Sequence, residues 1–466
     1  MKLIFKQALN AALLISLLVL AAHSATAQAT LTDEEIRNIL RERIEVAKKS
    51  VGIVVGLVDA QGTRIISYGR LNKNGEQAVN GDSVFEIGSV TKVFTATLLS
   101  EMVERGEVSL SDPISKYLPA SVKAPTRDGK EITLLDLSTQ TSGLPRLPNN
   151  LAPKNALNPY ADYSVEQLYQ FLSGYTLTRD VGVKYEYSNV GVGLLGQLLV
   201  LRAGKDYETL VRTRICQPLK MDSTGITLSP ELRGRLATGH NPALLPVPNW
   251  DLPTLAGAGA LRSTVNDLLK FLAANLGLNK SPLLAAMQMT HQSRHDTGVP
   301  DLEIGLNWHL LKKFDTVIVW HNGGTGGYHS FIGFDQNQRK GVVVLSNSAN
   351  DIDDIGRHLL VRQYPLSKIE PPKERKAIRL ETSVLEAYTG NYQLVPGFVI
   401  TISRDGEQLF AQATGQGKLE LFAESETDFF FKAVDAQITF TKDDQGRVTQ
   451  MVLHQNKVDQ TAKRIN

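Results

Sequence analysis

Apolar and polar positions alternate along this chain with different periods in different regions. Thr32-Asp33-Glu34-Glu35 has the form of a capping box, with Thr32 as N-cap and Glu35 three positions on. Ile36, Ile39, Leu40 and Ile44 follow at helical spacing, which predicts a helix running to Ala47. Residues 51–58 and 63–68 are rich in β-branched side chains and flank Asp59-Ala60-Gln61-Gly62, so a β-hairpin is expected there. A long helix-rich stretch comes next. Strand character returns at 316–320, 328–334 and 341–345, separated by Gly- or Asn-containing turns. Early strands, a helical middle and late strands predict one antiparallel sheet closed by both ends of a domain, with the helices between forming a lobe: an α+β arrangement.

The pattern changes again after residue 366. Ile369-Glu370-Pro371-Pro372-Lys373-Glu374-Arg375-Lys376 is charged, contains prolines and lacks apolar periodicity, as a linker does. Beyond it, alternating pairs such as Ile400 and Ile402, Leu409 and Ala411, and Ile438 and Phe440 are divided by turns at Asp405-Gly406 and near Gly446. Such spacing predicts a small all-β sandwich or barrel over residues 382–466. At the other end, Lys2 and Lys6 precede an apolar run over residues 8–22 and then Ala25-Thr26-Ala27. This is the layout of a secretory signal cut after Ala27, or after Ala29. The expected plan is a signal at 1–27, a main domain at 28–366, a linker at 367–381 and a β-domain at 382–466.

Composition adds boundaries. The 466 residues are 42% hydrophobic and 21% charged, enough for two or three domains with a substantial core. A net charge of +2 without a basic run gives no sign of a nucleic-acid partner. Cys216 is the single cysteine, which excludes an intrachain disulfide and suits a small core residue. After signal cleavage no second apolar segment of membrane-spanning length remains, so a periplasmic or secreted protein acting on a small-molecule or peptide substrate is expected.

Candidate chemistry begins at Ser89 and Lys92, three residues apart at the start of an apolar helix, where their side chains share a face. A serine hydroxyl needs a base within reach, and a lysine serves once burial lowers its pKa. Val93, Phe94, Leu98, Leu99, Met102 and Val103 make that helix apolar on most sides. A Ser-x-x-Lys string alone is a common coincidence; two other segments give it weight. In Tyr187-Ser188-Asn189, the phenol can relay a proton and Asn189 can bond a substrate amide. In His321-Asn322-Gly323-Gly324, glycines admit a substrate close to a strand, and the Gly324 N–H can join that of Ser89 as an oxyanion hole. His291 and His295 have i, i+4 spacing but no third ligand nearby, so they are expected to be surface residues; no metal or cofactor is called for.

Together, in this order, the three segments resemble the serine hydrolases that comprise class C β-lactamases, D-alanyl-D-alanine carboxypeptidases, D-aminopeptidases and some esterases. The resemblance spans roughly residues 30–365 and extends to Leu134-Leu135-Asp136-Leu137-Ser138-Thr139-Gln140-Thr141-Ser142-Gly143-Leu144-Pro145 and Gly257-Ala258-Gly259-Ala260. It implies an antiparallel sheet flanked by helices with a helical lobe, and a lipocalin-like C-terminal β-domain. It also implies that Ser89 is acylated, that Lys92 and Tyr187 share acid–base work, and that Asn189, His321, Asn322 and Gly323 bind substrate. The backbone N–H groups of Ser89 and Gly324 would form the oxyanion hole. Class C β-lactamases usually have Lys-Thr-Gly where this chain has His321-Asn322-Gly323. A histidine starts from a pKa of roughly 6.5. Recognition of a substrate carboxylate is therefore expected to weaken between about pH 6 and 8. Competing readings are an esterase using the same Ser89, Lys92 and Tyr187, and a penicillin-binding sensor without turnover.

Overall fold

Among the described residues, a helix and a hairpin come first. The computed structural model describes residues 31–371, 375–395, 398–414, 417–434, 436–455 and 458–465; the expected signal over 1–27 and part of the linker lie outside them. Helix α1 (Asp33–Arg41) opens on the capping box: the Glu35 N–H donates to Thr32 Oγ1 at 3.2 Å and the Thr32 N–H to the Glu35 carboxylate at 2.7 Å. The chain then widens into one π-helical turn, Glu42–Val46, which buries Arg43. Strands β1 (Gly52–Asp59) and β2 (Gly62–Gly69) pair from Gly52↔Gly69 to Asp59↔Gly62, which leaves a two-residue loop.

The remaining strands of the sheet come 225 or more residues later in sequence: β3 (His295–Val299), β4 (Leu302–Ile304), β5 (His309–Lys313), β6 (Thr316–Gly324), β7 (His329–Asp335) and β8 (Lys340–Ser346). The eight-stranded order is β2-β1-β8-β7-β6-β5-β4-β3, all neighbours antiparallel. β1 meets β8 from Ile53↔Ser346 to Val58↔Gly341, so the two ends of the domain do close one sheet. β1 reads as an unbroken apolar run because it is internal and covered on both faces. β3, β4 and β5 escaped the sequence pattern. They are short, lie toward one edge and carry charged or polar residues such as His295, Asp296, Glu303 and Lys312, as edge strands do.

Between β2 and β3 lies the helical part. Helix α2 (Thr91–Glu104) has every residue from Thr91 to Met102 buried, so it carries no solvent stripe. Around it pack α3 (Asn189–Ala203) and α4 (Ala256–Gly259), while α5 (Val265–Asn275) lies on the sheet and α6 (Asp353–Leu360) follows β8. Glycine permits one of these contacts: a Cβ at Gly56 of β1 would stand 2.5 Å from Val265 Cγ1 of α5.

The C-terminal strands β9 (Gly390–Val395), β10 (Phe398–Asp405), β11 (Gln408–Ala413), β12 (Leu419–Ala423), β13 (Asp428–Phe430), β14 (Ala436–Lys442), β15 (Val448–Gln455) and β16 (Val458–Arg464) close into a barrel. The closing pairs are Tyr392↔Arg464 and Gln393↔Lys463. The helix just before it (Thr382–Tyr388) adds Leu385 and Tyr388 to a core of Tyr392, Ile438, Phe440 and Met451, so side chains fill the interior. This core shares no residue with that of the sheet and helices.

Candidate active site

Ser89 stands in a 3₁₀ turn, Gly88–Val90, that feeds directly into α2. Gly88 enters it with φ +47°, in the left-handed region that glycine adopts without strain. One turn on, Lys92 has no solvent exposure, yet its amine meets three oxygens: Ser89 Oγ at 3.0 Å, Asn189 Oδ1 at 2.9 Å and the Ala258 carbonyl at 2.7 Å. Burial drives its pKa well below the ordinary lysine value, and the charge of Arg146 pushes the same way. A neutral amine has two N–H groups and one lone pair. Asn189 Oδ1 and the Ala258 carbonyl, both purely acceptors, take the two N–H groups. The lone pair is left for the Ser89 hydroxyl, the one partner that can donate.

Ala258 is held there by glycine. A Cβ on Gly257 would lie 3.0 Å from the Gly196 Cα, so α4 and α3 cross in backbone contact. Thr95 Oγ1, one turn beyond Lys92, donates to the Gly257 carbonyl at 2.7 Å and fixes α4 against α2.

Asn189 arrives as the first residue of α3. Ser188 caps that helix by accepting from the Gly191 N–H at 2.8 Å, and its hydroxyl donates to the Pro145 carbonyl at 2.6 Å. Gln140 accepts from the Ser188 N–H at 2.7 Å, and the Arg146 carbonyl accepts from Asn189 N–H at 2.9 Å. The 140–146 loop thus grips the turn that carries Tyr187. The Tyr187 ring centroid lies 4.8 Å from Lys92 Nζ and 5.0 Å from the Arg146 guanidinium carbon. Burial pushes the Tyr187 phenol up, with the Ser89 hydroxyl and the Arg146 charge acting in the opposite sense; the net effect is upward, so it is protonated at neutral pH.

Strand β6 supplies the facing edge. It pairs with β7 along its length to Gly324↔His329, but with β5 only up to Trp320↔His309. The backbone from His321 to Gly324 therefore has one edge free of β5. A Cβ at Gly323 would stand 2.1 Å from the Ile87 carbonyl oxygen and 2.9 Å from the Ser89 nitrogen, and one at Gly88 2.9 Å from the Gly324 nitrogen. Only glycine lets the strand and the serine turn come this close. The backbone segments that carry Ser89 and Gly324 thereby lie against each other.

His321 is buried, with Nδ1 donating to the Asn322 carbonyl at 2.6 Å and its ring 5.1 Å from that of His309 and 6.3 Å from that of Tyr187. Burial holds it well below the usual histidine value, and the neighbouring His309 and Lys92 add to that. This runs against the charge expectation, because burial disfavours the protonated ring on which that expectation rests. His309, bonded to the Tyr185 hydroxyl at 3.0 Å, is likewise depressed by burial, to about 4. Asn322 is a second correction. Successive side chains of a strand point to opposite faces, so it turns away from His321 and donates to Asp353 Oδ2 at 2.6 Å, beside His329.

Residues 36–364 match the Beta-lactamase family, and residues 374–466 match a domain of unknown function, DUF3471. The chain belongs to the Beta-lactamase family. It is accordingly a serine hydrolase of the kind that acts on amide bonds. It is 30% identical over 312 residues to the D-alanyl-D-alanine-carboxypeptidase/endopeptidase AmpH of Escherichia coli (strain K12), covering 64% of this chain and 79% of that protein. It is 27% identical over 371 residues to the Beta-lactamase of the same strain, covering 72% and 93%. Among solved structures, the D-alanine Carboxypeptidase AmpC from Burkholderia cenocepacia is 27% identical, with a TM-score of 0.59 over 71% of this chain and 99% of that one.

Three features of this Beta-lactamase-family site fall outside the sequence motifs. One is Arg146, exposed beside Tyr187. Another is the cleft wall of Tyr160, Trp250, Leu252 and Leu255, which with Gly88, Ser89, Asn189, Ala258 and Gly324 lines the pocket. The third is the buried Glu86–Arg262 pair at 3.4 Å: Glu86 accepts from the Trp250 N–H at 2.9 Å and Arg262 donates to the Trp250 carbonyl at 3.0 Å, which pins that wall. No local spacing signals these residues, because each meets the site through the fold. His291 is a further correction. It is buried against Trp308 and Phe334, bonded to Asn275 Oδ1 at 2.7 Å and depressed to about 3 by burial, so it belongs to the core.

Proposed function

We propose that this enzyme is exported and hydrolyses D-alanyl peptides or β-lactams through an acyl-Ser89 intermediate. The observation that carries the reading is the buried Lys92 amine, whose two acceptor partners leave its lone pair to the Ser89 hydroxyl. Lys92 takes the Ser89 proton as Oγ bonds to the substrate carbonyl carbon, and the carbonyl oxygen gathers charge between the N–H groups of Ser89 and Gly324. The C–N bond then breaks. Tyr187, protonated at neutral pH, gives its proton to the leaving nitrogen and recovers one from Lys92. Water hydrolyses the resulting ester and restores Ser89. Asn189 holds the substrate amide, and the free edge of β6, from His321 through Gly323, aligns it. The signal at 1–27 supports the export, with a mature N-terminus at Gln28 or Thr30. The domain reading remains 28–366, 367–381 and 382–466.

The apolar wall of Tyr160, Trp250, Leu252 and Leu255 and the buried His321, whose charged form burial disfavours, favour, as a second reading, an esterase on the same machinery. Mature protein is to be incubated with a chromogenic β-lactam, a short p-nitrophenyl ester and a D-Ala-D-Ala peptide, following turnover and intact mass. Turnover of the first or third, abolished in Ser89→Ala, is expected. Turnover of the ester alone favours the esterase, and a lasting adduct without turnover a penicillin-binding sensor. No reaction with any of the three removes the hydrolase mechanism.

A further inference from the structure

Arg146 places a full positive charge beside the reacting groups. Its guanidinium lies over the Tyr187 ring, is exposed, and forms no ion pair among the described residues. Lys92, His321 and His309 are buried, and burial disfavours the charged form of each, whereas the Arg146 side chain is exposed. The backbone of Arg146 is fixed by its carbonyl, which accepts from the N–H groups of Asn189 at 2.9 Å and Val190 at 3.3 Å. Arg146 and Asn189 therefore share one wall of the site. An aromatic ring under the guanidinium plane leaves its N–H edge open, the edge that grips a carboxylate with two parallel hydrogen bonds.

We propose that Arg146 is the anion receptor of this site and binds a carboxylate carried on the acyl half of the substrate. The proposal rests on the acyl-Ser89 reading. The acyl half is named because the substrate amide held by Asn189, on the same wall, is taken as one belonging to that half. Selectivity for acidic acyl groups then comes from an exposed loop residue, the strand position being held by the buried His321.

Three penicillins test it: benzylpenicillin, its α-carboxy derivative and its α-amino derivative, which differ only on the acyl side. Second-order acylation constants are read by intact mass in the wild type and in Arg146→Gln, Arg146→Lys and Arg146→Glu, each checked for an unchanged Tm. The ratio of α-carboxy to benzyl constants is expected to fall about tenfold in Arg146→Gln, the scale of one charge-assisted contact. Arg146→Lys should keep most of it. Arg146→Glu should shift the preference to the α-amino compound, a gain that misfolding cannot mimic. An equal loss for all three penicillins would overturn the proposal and leave Arg146 acting only through Lys92. If the loss instead follows esterification of the ring carboxylate, the acyl-side assignment is overturned. Failure of wild-type Ser89 to be acylated by any penicillin or D-Ala-D-Ala peptide removes the acyl-enzyme reading, and the proposal with it.

Discussion

The proposed role of Lys92 as a base rests on an amine that is buried and, among the described residues, bonded to no carboxylate, and the pH dependence of acylation follows from that. Acylation requires the neutral amine, so the rate rises with pH through a Lys92 pKa that burial has lowered, and it is lost as the pH falls below it. Burial disfavours the charged form of His321, so His321→Gln should change the level of kcat/KM but not the shape of its profile over about pH 6–8. A step near pH 6.5 that vanishes in His321→Gln would contradict this. Lys92→Met should slow acylation by about 10²–10⁴-fold, the usual worth of a positioned base, read by intact mass against time. The clustering of Ser89, Lys92, Tyr187 and Asn189 was legible in the sequence because the proposed roles of nucleophile, base and relay call for particular residue types. Arg146 was not, since an arginine in a loop has no local signature. Asn322 misled for a related reason: its motif position is that of a site residue, but strand alternation decides where its side chain goes.

At the scale of elements, the site depends on how closely strand β6 approaches the Ser89 turn. Gly323→Ala places a methyl 2.1 Å from the Ile87 oxygen and must push the strand away from the Ser89 N–H. Acylation should drop by about 10²–10³-fold, as when an oxyanion-hole donor is removed. Stability should fall by about 1–3 kcal/mol, the range for an overpacked contact. Gly234→Ala, where an added Cβ meets nothing within 4 Å, is the control and should change neither acylation nor Tm. The hairpin, the capped first helix and the three late strands were predictable from apolar period and turn residues. Strands β3 to β5 were not, because they have polar sequences and are held in place by their neighbours.

Across the whole molecule, two separate cores stand behind the two architectures. Phe440, 2% exposed inside the barrel, packs on Tyr388, Tyr392 and Phe429. Phe440→Ala should cost about 3–5 kcal/mol. Calorimetry should show the barrel transition moving alone, with penicillin acylation unchanged. The ends of the larger fold are joined by Arg43, whose guanidinium donates to both carboxylate oxygens of Asp354 in α6 at 3.2 and 2.7 Å. Burial would raise the Asp354 carboxyl, but its bonds to Arg43 outweigh that and lower it. Its stabilisation is present above the unfolded carboxyl pKa of roughly 3.9 and is lost as the pH falls through the depressed folded value. Asp354→Ala leaves Arg43 buried and unpaired and should cost about 3–5 kcal/mol in denaturant unfolding at neutral pH. The first helix, the hairpin, the three late strands and the Ser89–Lys92 pairing on one helix face were written in the sequence, because period, turn chemistry and helical spacing act over a few neighbouring residues. Whether His321 carries charge, which way Asn322 points, and that Arg146 reaches Tyr187 were decided only by tertiary structure, because burial and contact join residues far apart in the chain.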